Sequence, residues 1–361
     1  MVDVNGREAT AQSSVRTTLA QMYDVALLDL DGVVYVGSKP VEHAADALHG
    51  ARADGMRLAF VTNNASRPPF VVAEHLTEIG VTAFDNEVIT SAQAAARLLA
   101  ERLPEGSRVL VVGGEGLAVA LREQGLTPVL SLEEAPEAVV QGFAPTVDWR
   151  ALAEATYAVR QGLLWVASNL DRTIPTARGI APGNGTLVEA VRVASGRDPI
   201  AAGKPEPPMH REAVLRTGAD RPLVVGDRLD TDIEGACRGG VDSLLVMTGV
   251  CTPEELLFAP PEHRPTYLGG DLRALHEPPD RLAVAAGSTR SGSWEAAVED
   301  AALKLRRRSD DAEHGGADHE DAGRDGVDAL RAACGAVWAA GTEHVDRGSV
   351  AEVIAGVGGM H

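Results

Sequence analysis

The sequence predicts an α/β protein built mainly on parallel sheets. Three observations carry that expectation. Short apolar, β-branched runs alternate with segments of helical periodicity. The runs end abruptly in polar or glycine-rich turns, as buried strands do where they leave a sheet. There are also more such runs than one small domain holds, so a second sheet is expected.

In chain order, residues 1–22 have early acids and no apolar stretch of a secretory signal, and a short flexible tail is expected. VALLDLDG (25–32) reads as a buried strand breaking at Asp-x-Asp-Gly. AADALHGARADG follows with helical spacing and Gly55 as its cap. RLAFVT (57–62) is a second buried strand, ending in the turn pair Asn63-Asn64. A helix is expected around 68–80, a strand at 109–113 and a helix around 116–124. Further strands are expected at 138–143, 163–168, 222–227 and 243–249. From about residue 266 the strand signals stop. Two helix-like segments, 294–308 and 326–341, flank residues 310–325. Those sixteen residues hold seven acids and one arginine, and so predict a disordered acidic linker. The expected organisation is a core from 23–87 and 199–265, an inserted α/β unit at 88–198, and an extension at 266–361.

Composition narrows the function. The 361 residues carry a formal charge of −19, which disfavours nucleic acid or anionic membrane as a partner. No uncharged apolar run reaches the length of a membrane span. Three cysteines without paired spacing argue against a disulfide framework and for a reducing compartment, so a cytoplasmic location is expected. Only three of the 33 basic residues are lysines: Lys39, Lys204 and Lys304.

In an open parallel sheet, ligands bind at the carboxyl ends of the strands. Asp29 and Asp31 end the first strand, Thr62 and Asn63 the second. Asp227 ends PLVVGD, with Asp230 and Asp232 just beyond, and Lys204 precedes it in GKPEP. Three carboxylates in one crevice repel unless a cation joins them, and an all-oxygen set favours a hard ion, Mg²⁺. Lys204 and the Thr62 hydroxyl then supply donors for an anion such as phosphate. A carboxylate nucleophile, a metal, a lysine and hydroxyl donors are the parts of phosphoryl transfer. Asp29 can attack phosphorus in line. Asp31, two residues on, lies to the same side, where it can protonate the leaving oxygen and later activate water. Singly, each signal is ordinary: an Asp-x-Asp loop is commonly a turn, and a lysine before proline is commonly solvated. Their shared placement at strand ends carries the argument.

DLDGVVY, VTNNAS, GKPEP and GDRLDTDIEGA resemble the four motifs of the haloacid dehalogenase (HAD) superfamily of phosphatases. More narrowly they resemble subclass IIA, the NagD-like group that includes p-nitrophenyl, phosphoglycolate and glycerol-3-phosphate phosphatases. The resemblance covers about 23–265. It implies a Rossmann-like HAD core with an inserted α/β cap of the C2 type, Asp29 as nucleophile and Asp31 as general acid and base. It implies Mg²⁺ on Asp29, the Asp31 carbonyl and Asp227, with Asp232 supporting. Thr62, Asn63 and Lys204 would bind the phosphoryl group. ASNLDRTIPTARGIAPGNGTLVEA (167–190) looks like the return from cap to core, placing Asn169 and Asp171 near the substrate. The implied substrate is a small phosphate ester, glycerol 3-phosphate or phosphoglycolate, and the implied assembly a homodimer through the cap.

Other functions fit less well. VLVVGGEGLAV offers the start of a dinucleotide fingerprint, Gly114-x-Gly116, but its third small residue falls on Val119. A phosphotransferase would use the same Asp29 chemistry with an acceptor other than water, an alternative the sequence leaves open, whereas a mutase needs a second phosphate pocket, which no added basic cluster marks. A non-catalytic role conflicts with chemically complete motifs. The extension 266–361 lies outside the resemblance, and Trp294 and Trp338 read as packing residues.

Overall fold

A computed structural model describes residues 16–37, 39–176, 178–308 and 319–357. Six parallel strands form the first sheet, in the order Tyr267–Gly269, Ser243–Val246, Pro222–Gly226, Val25–Leu28, Arg57–Thr62 and Val88–Thr90. The chain starts near the middle, runs outward to one edge, and returns to fill the other. The order therefore reverses between Val25–Leu28 and Pro222–Gly226, the switch point where open sheets bind ligands. Alternation along each strand serves two faces. Leu28, Phe60 and Val225 pack with Leu48 and Leu76 of the helices Ala44–Ala53 and Pro69–Glu78. Leu27, Ala59, Val61 and Val224 face the other side.

The second sheet is also parallel: Ile200–Ala201, Leu164–Ala167, Ala138–Gln141, Arg108–Val112 and Thr127–Val129. Leu110, Val139 and Trp165 pack with residues of the helices Trp149–Arg160 and Asn184–Ser195. Val109, Val111, Val140 and Val166 join the same apolar cluster as Leu27 and Val61. That cluster also takes in Ala92, Ala95 and Leu99 of the helix Ser91–Ala100, so the two sheets share one core. A hairpin, Thr173–Thr176 with Gly179–Pro182, stands off this layer.

Several sequence expectations change. Within the expected tail, the helix Leu19–Met22 buries Leu19 and Ala20, and the Leu19 amide donates to the Glu277 carbonyl (3.1 Å); residues 1–15 lie outside the described ones. Val88–Thr90, expected in the inserted unit, is the outer strand of the first sheet, and Ile200–Ala201 pairs in the second. Tyr267–Gly269 extends the first sheet beyond residue 266.

The largest change is at 294–308. This segment forms the antiparallel strands Trp294–Glu299 and Ala302–Arg307, joined at Asp300-Ala301, with Arg290–Ser291 alongside. Its helix-forming composition is overridden by alternation: Leu303 and Leu305 face inward, while Lys304 and Arg306 stay exposed. Both turn residues have positive φ, which suits a two-residue hairpin. The acidic segment differs too. Residues 309–318 lie outside the described ones, but 319–325 already belong to the helix His319–Ala340. The hairpin, this helix and the helix Arg347–Gly356 bury Val327, Leu330, Val337 and Trp338 against Leu245, Leu256 and Leu268.

Candidate active site

Five strand ends or adjoining loops converge at the switch point. Asp29 follows Leu28, and its amide donates to the Val225 carbonyl (2.8 Å), which aligns it with the neighbouring strand. Asp227 leaves the end of Pro222–Gly226, and Asp232 lies in the π-helical turn Leu229–Ile233. Lys204 arrives from the return of the inserted unit. Its Nζ donates to Asp29 Oδ1 (2.6 Å), Asp232 Oδ1 (2.7 Å) and the Val61 carbonyl (3.2 Å). Burial works against the ammonium, but Asp232 and then Asp29 hold it charged, above the usual lysine range.

Asp29, Asp227 and Asp232 each place a carboxylate oxygen within 4.8 Å of the others. Asp227 is fully buried. The Val250 amide donates to its Oδ2 (2.7 Å), while Oδ1 is buried without a partner. Burial, then the charges of Asp232 and Asp29, push Asp227 up to about 7. Three carboxylates and one ammonium leave −3 + 1 = −2 in this crevice. An orphaned oxygen and two surplus negative charges fit a hard divalent cation. Two glycines make room: a Cβ on Gly249 would lie 1.9 Å, and on Gly32 2.4 Å, from Asp227 Oδ2. Gly32 also has φ +87°, a conformation that strains other residues.

Asp31 sits at the exposed edge of this group. The surrounding protein mass, then the Asp29 charge, holds its carboxyl up at about 6. Thr62 is buried, and its Oγ1 accepts from the Asn64 amide (3.1 Å), which leaves its own proton to donate. Asn63 is engaged within the protein. Its Oδ1 accepts from the Lys204 amide (2.8 Å), and its Nδ2 donates to Asp171 (3.2 and 3.3 Å) and to the Lys204 carbonyl (3.2 Å). Its carbonyl accepts from Ser91 Oγ (2.6 Å) and Asn169 Nδ2 (2.7 Å). Asn169 and Asp171 therefore meet the second strand's loop directly. Asp230 is drawn away, paired with Arg228 (2.9 and 3.1 Å).

The family assignment now has an independent basis. A haloacid dehalogenase-like hydrolase model matches residues 26–127, and a second HAD-hydrolase-like model matches 201–275. The chain is 47% identical over 323 residues to the D-glycerol 3-phosphate phosphatase of Mycobacterium tuberculosis, covering 90% of this chain and 88% of that one. The chain belongs to the haloacid dehalogenase-like hydrolase family. The curated relatives of this HAD protein are named phosphatases. The crystal structure of the mycobacterial glycerol phosphate phosphatase with magnesium superposes with a TM-score of 0.81 at 47% identity, over 90% of this chain and 92% of that one. The p-nitrophenyl phosphatase of Archaeoglobus fulgidus matches with a TM-score of 0.65 at 30% identity, over 70% of this chain and 98% of that one. That archaeal chain is thus accounted for almost whole, while nearly a third of this HAD chain lies beyond it.

Sequence reasoning missed four contributors to this HAD site: Ser91, Gly249, Val250 and Asn184. Asn184 Nδ2 donates to the Asn169 carbonyl (2.7 Å). Gly249 and Val250 follow the strand Ser243–Val246, so the strand-end rule applied to the other motifs would have found them.

Proposed function

We propose that this phosphatase hydrolyses glycerol 3-phosphate by double displacement at Asp29. The observation that carries the chemistry is the Lys204 bridge, which holds one oxygen of Asp29 and leaves the other to attack. The Asp29 oxygen forms a bond to phosphorus as the bond to the glycerol oxygen breaks, and Asp31 gives its proton to the departing alcohol. Asp31, now a carboxylate, takes a proton from water, whose oxygen attacks phosphorus and frees Asp29 and inorganic phosphate. Thr62 and the loop at Asn63 bind the phosphoryl oxygens. Asp29, the Asp31 carbonyl and Asp227 would hold Mg²⁺, with Asp232 in support, and the ion would neutralise phosphoryl charge.

The substrate choice rests on the likeness to the mycobacterial glycerol 3-phosphate enzyme, which spans the C-terminal unit as well as the core. In this reading the inserted unit is the cap that selects the leaving group. We also place the enzyme in the cytoplasm, as a homodimer through the cap, where Leu130, Trp149 and Ile180 are each at least three-quarters exposed. A kinetic panel of phosphate esters ranked by kcat/KM tests the substrate. Glycerol 3-phosphate should lead, and phosphoglycolate leading would overturn the choice. Light scattering tests the dimer.

A further inference from the structure

The cluster Gly113-Gly114-Glu115-Gly116 touches none of the reacting groups, and the chemistry above does not explain it. It ends the strand Arg108–Val112 and starts the helix Glu115–Glu123. A Cβ on Gly114 would stand 2.5 Å from the Ser66 carbonyl oxygen and 2.9 Å from Ser66 Cα. On Gly116 it would stand 2.5 Å from the Ala65 oxygen and 2.7 Å from the Arg67 oxygen. These are backbone atoms, which cannot swing aside as a side chain can. The requirement is for close approach, and the helix start is thereby filled by residues 65–67, where a dinucleotide would need its pyrophosphate.

The contact leads inward. The Gly116 amide donates to the Ser66 carbonyl (3.3 Å). The Ser66 amide and Oγ both donate to Asn64 Oδ1 (2.9 and 2.6 Å), and the Asn64 amide donates to Thr62 Oγ1 (3.1 Å). From the other side Asn169 and Asp171 hold Asn63.

We infer that Gly114 and Gly116 are positioning residues for phosphoryl binding: they seat the cap on the backbone of residues 65–67 and so fix Thr62 and Asn63. The inference rests on the reading of Thr62 and Asn63 as the phosphoryl-binding groups. It means that the cap shapes the pocket for the transferred group as well as the pocket for the leaving group. A cap that swung away as a body would carry the phosphate loop with it.

The test uses the full-length, magnesium-loaded enzyme with inorganic phosphate as competitive inhibitor of p-nitrophenyl phosphate hydrolysis. Gly116→Ala should raise the phosphate inhibition constant about tenfold or more, since small misplacements of binding groups are costly. The magnesium half-saturation should stay within about twofold, because the metal carboxylates lie on other strands; a simple loss of folded enzyme would move neither constant. Ser66→Ala, which removes the hydroxyl half of the tie to Asn64 and leaves the amide half without adding bulk, should show the same selective loss at smaller size. A wild-type phosphate constant in folded Gly116→Ala overturns the inference. Where Gly116→Ala does not fold, a wild-type constant in Ser66→Ala overturns it instead. Thr62→Ala separates the two readings. If it too leaves the constant unchanged, the phosphoryl-binding reading falls; if it raises the constant while the glycine and serine variants do not, only the positioning inference falls.

Discussion

The inserted unit and the C-terminal unit both pack on the six-stranded sheet, but they meet it differently. The inserted unit reaches the site with polar groups: Asn169 and Asp171 bond Asn63, and its return delivers Lys204. The C-terminal unit meets the sheet mainly through apolar burial, with Val337 and Trp338 against Leu245, Leu256 and Leu268. Its buried polar ties support edges: Arg331 Nε donates to the Leu268 carbonyl (2.8 Å) and Trp338 Nε1 to the Leu256 carbonyl (3.3 Å). The difference teaches that size and burial do not mark a functional region. What marks one is hydrogen bonding into the strand ends at the switch point. The shorter p-nitrophenyl phosphatase of Archaeoglobus fulgidus is matched over 98% of its length by 70% of this chain.

The largest test of the contrast is Lys204→Arg, at the inserted unit's return. A compact ammonium touches Asp29, Asp232 and the Val61 carbonyl from one point, and a planar guanidinium cannot reproduce three convergent bonds. kcat/KM should fall by about a hundredfold or more, in the range of losing one preorganised electrostatic contact. Near-wild-type turnover would break the assignment. In a chain with thirty arginines and three lysines, retention of lysine here has this chemical reason.

Asp31→Asn separates the two chemical steps. p-Nitrophenolate leaves without protonation, so the first displacement should persist, while loss of the base should slow hydrolysis of the acyl-phosphate by about 10²–10⁴-fold. Rapid-quench kinetics should then show a burst of one p-nitrophenolate per site followed by a slow steady state. Equal slowing of burst and steady state would remove Asp31 from the second step.

Much of this was legible in sequence because strand ends are local. VALLDLDG, RLAFVT and PLVVGD each carry a buried run and its terminal polar group within eight residues, and all three strands lie where expected. Two kinds of information were not local. The hairpin at 294–307 has helix-forming residues, and only its pairing and the helix laid across it decide for strand. The engagement of Asn63 was likewise hidden. Its partners Ser91, Asn169, Asp171 and Lys204 are 28, 106, 108 and 141 residues away, and no spacing rule joins them.

A middle-sized effect should come from Asp171→Ala. This removes one of the two acceptors of Asn63 Nδ2 and one of the inserted unit's ties to the loop at Asn63. KM for p-nitrophenyl phosphate should rise about tenfold, worth roughly 1.4 kcal/mol, with kcat less changed. A change confined to the preference among leaving groups, with unaltered phosphate inhibition, would instead make Asp171 a group that reads the substrate.

The smallest effect on turnover should come from the C-terminal unit. Trp338→Ala empties a buried site under the Arg264 guanidinium, 4.9 Å from the ring centroid, and should lower stability by about 3–5 kcal/mol. In the fraction that stays folded, kcat/KM should remain within about twofold, since such a substitution acts through stability and touches no reacting group. The metal site offers the finer reading. Trp338 packs in one cluster with Cys251 and Leu256, and the Val250 amide beside them holds Asp227. With Asp227 as the proposed metal ligand, binding would displace its proton; burial, then Asp232 and Asp29, push that carboxyl up to about 7. The magnesium half-saturation concentration should therefore fall as pH rises toward about 7 and level off above it. If the C-terminal unit acts only through stability, Trp338→Ala leaves that pH profile in place. A profile displaced along the pH axis in a folded variant would mean that the helix His319–Ala340 sets the environment of Asp227 through the segment 248–257, and the contrast between the two units would become one of distance.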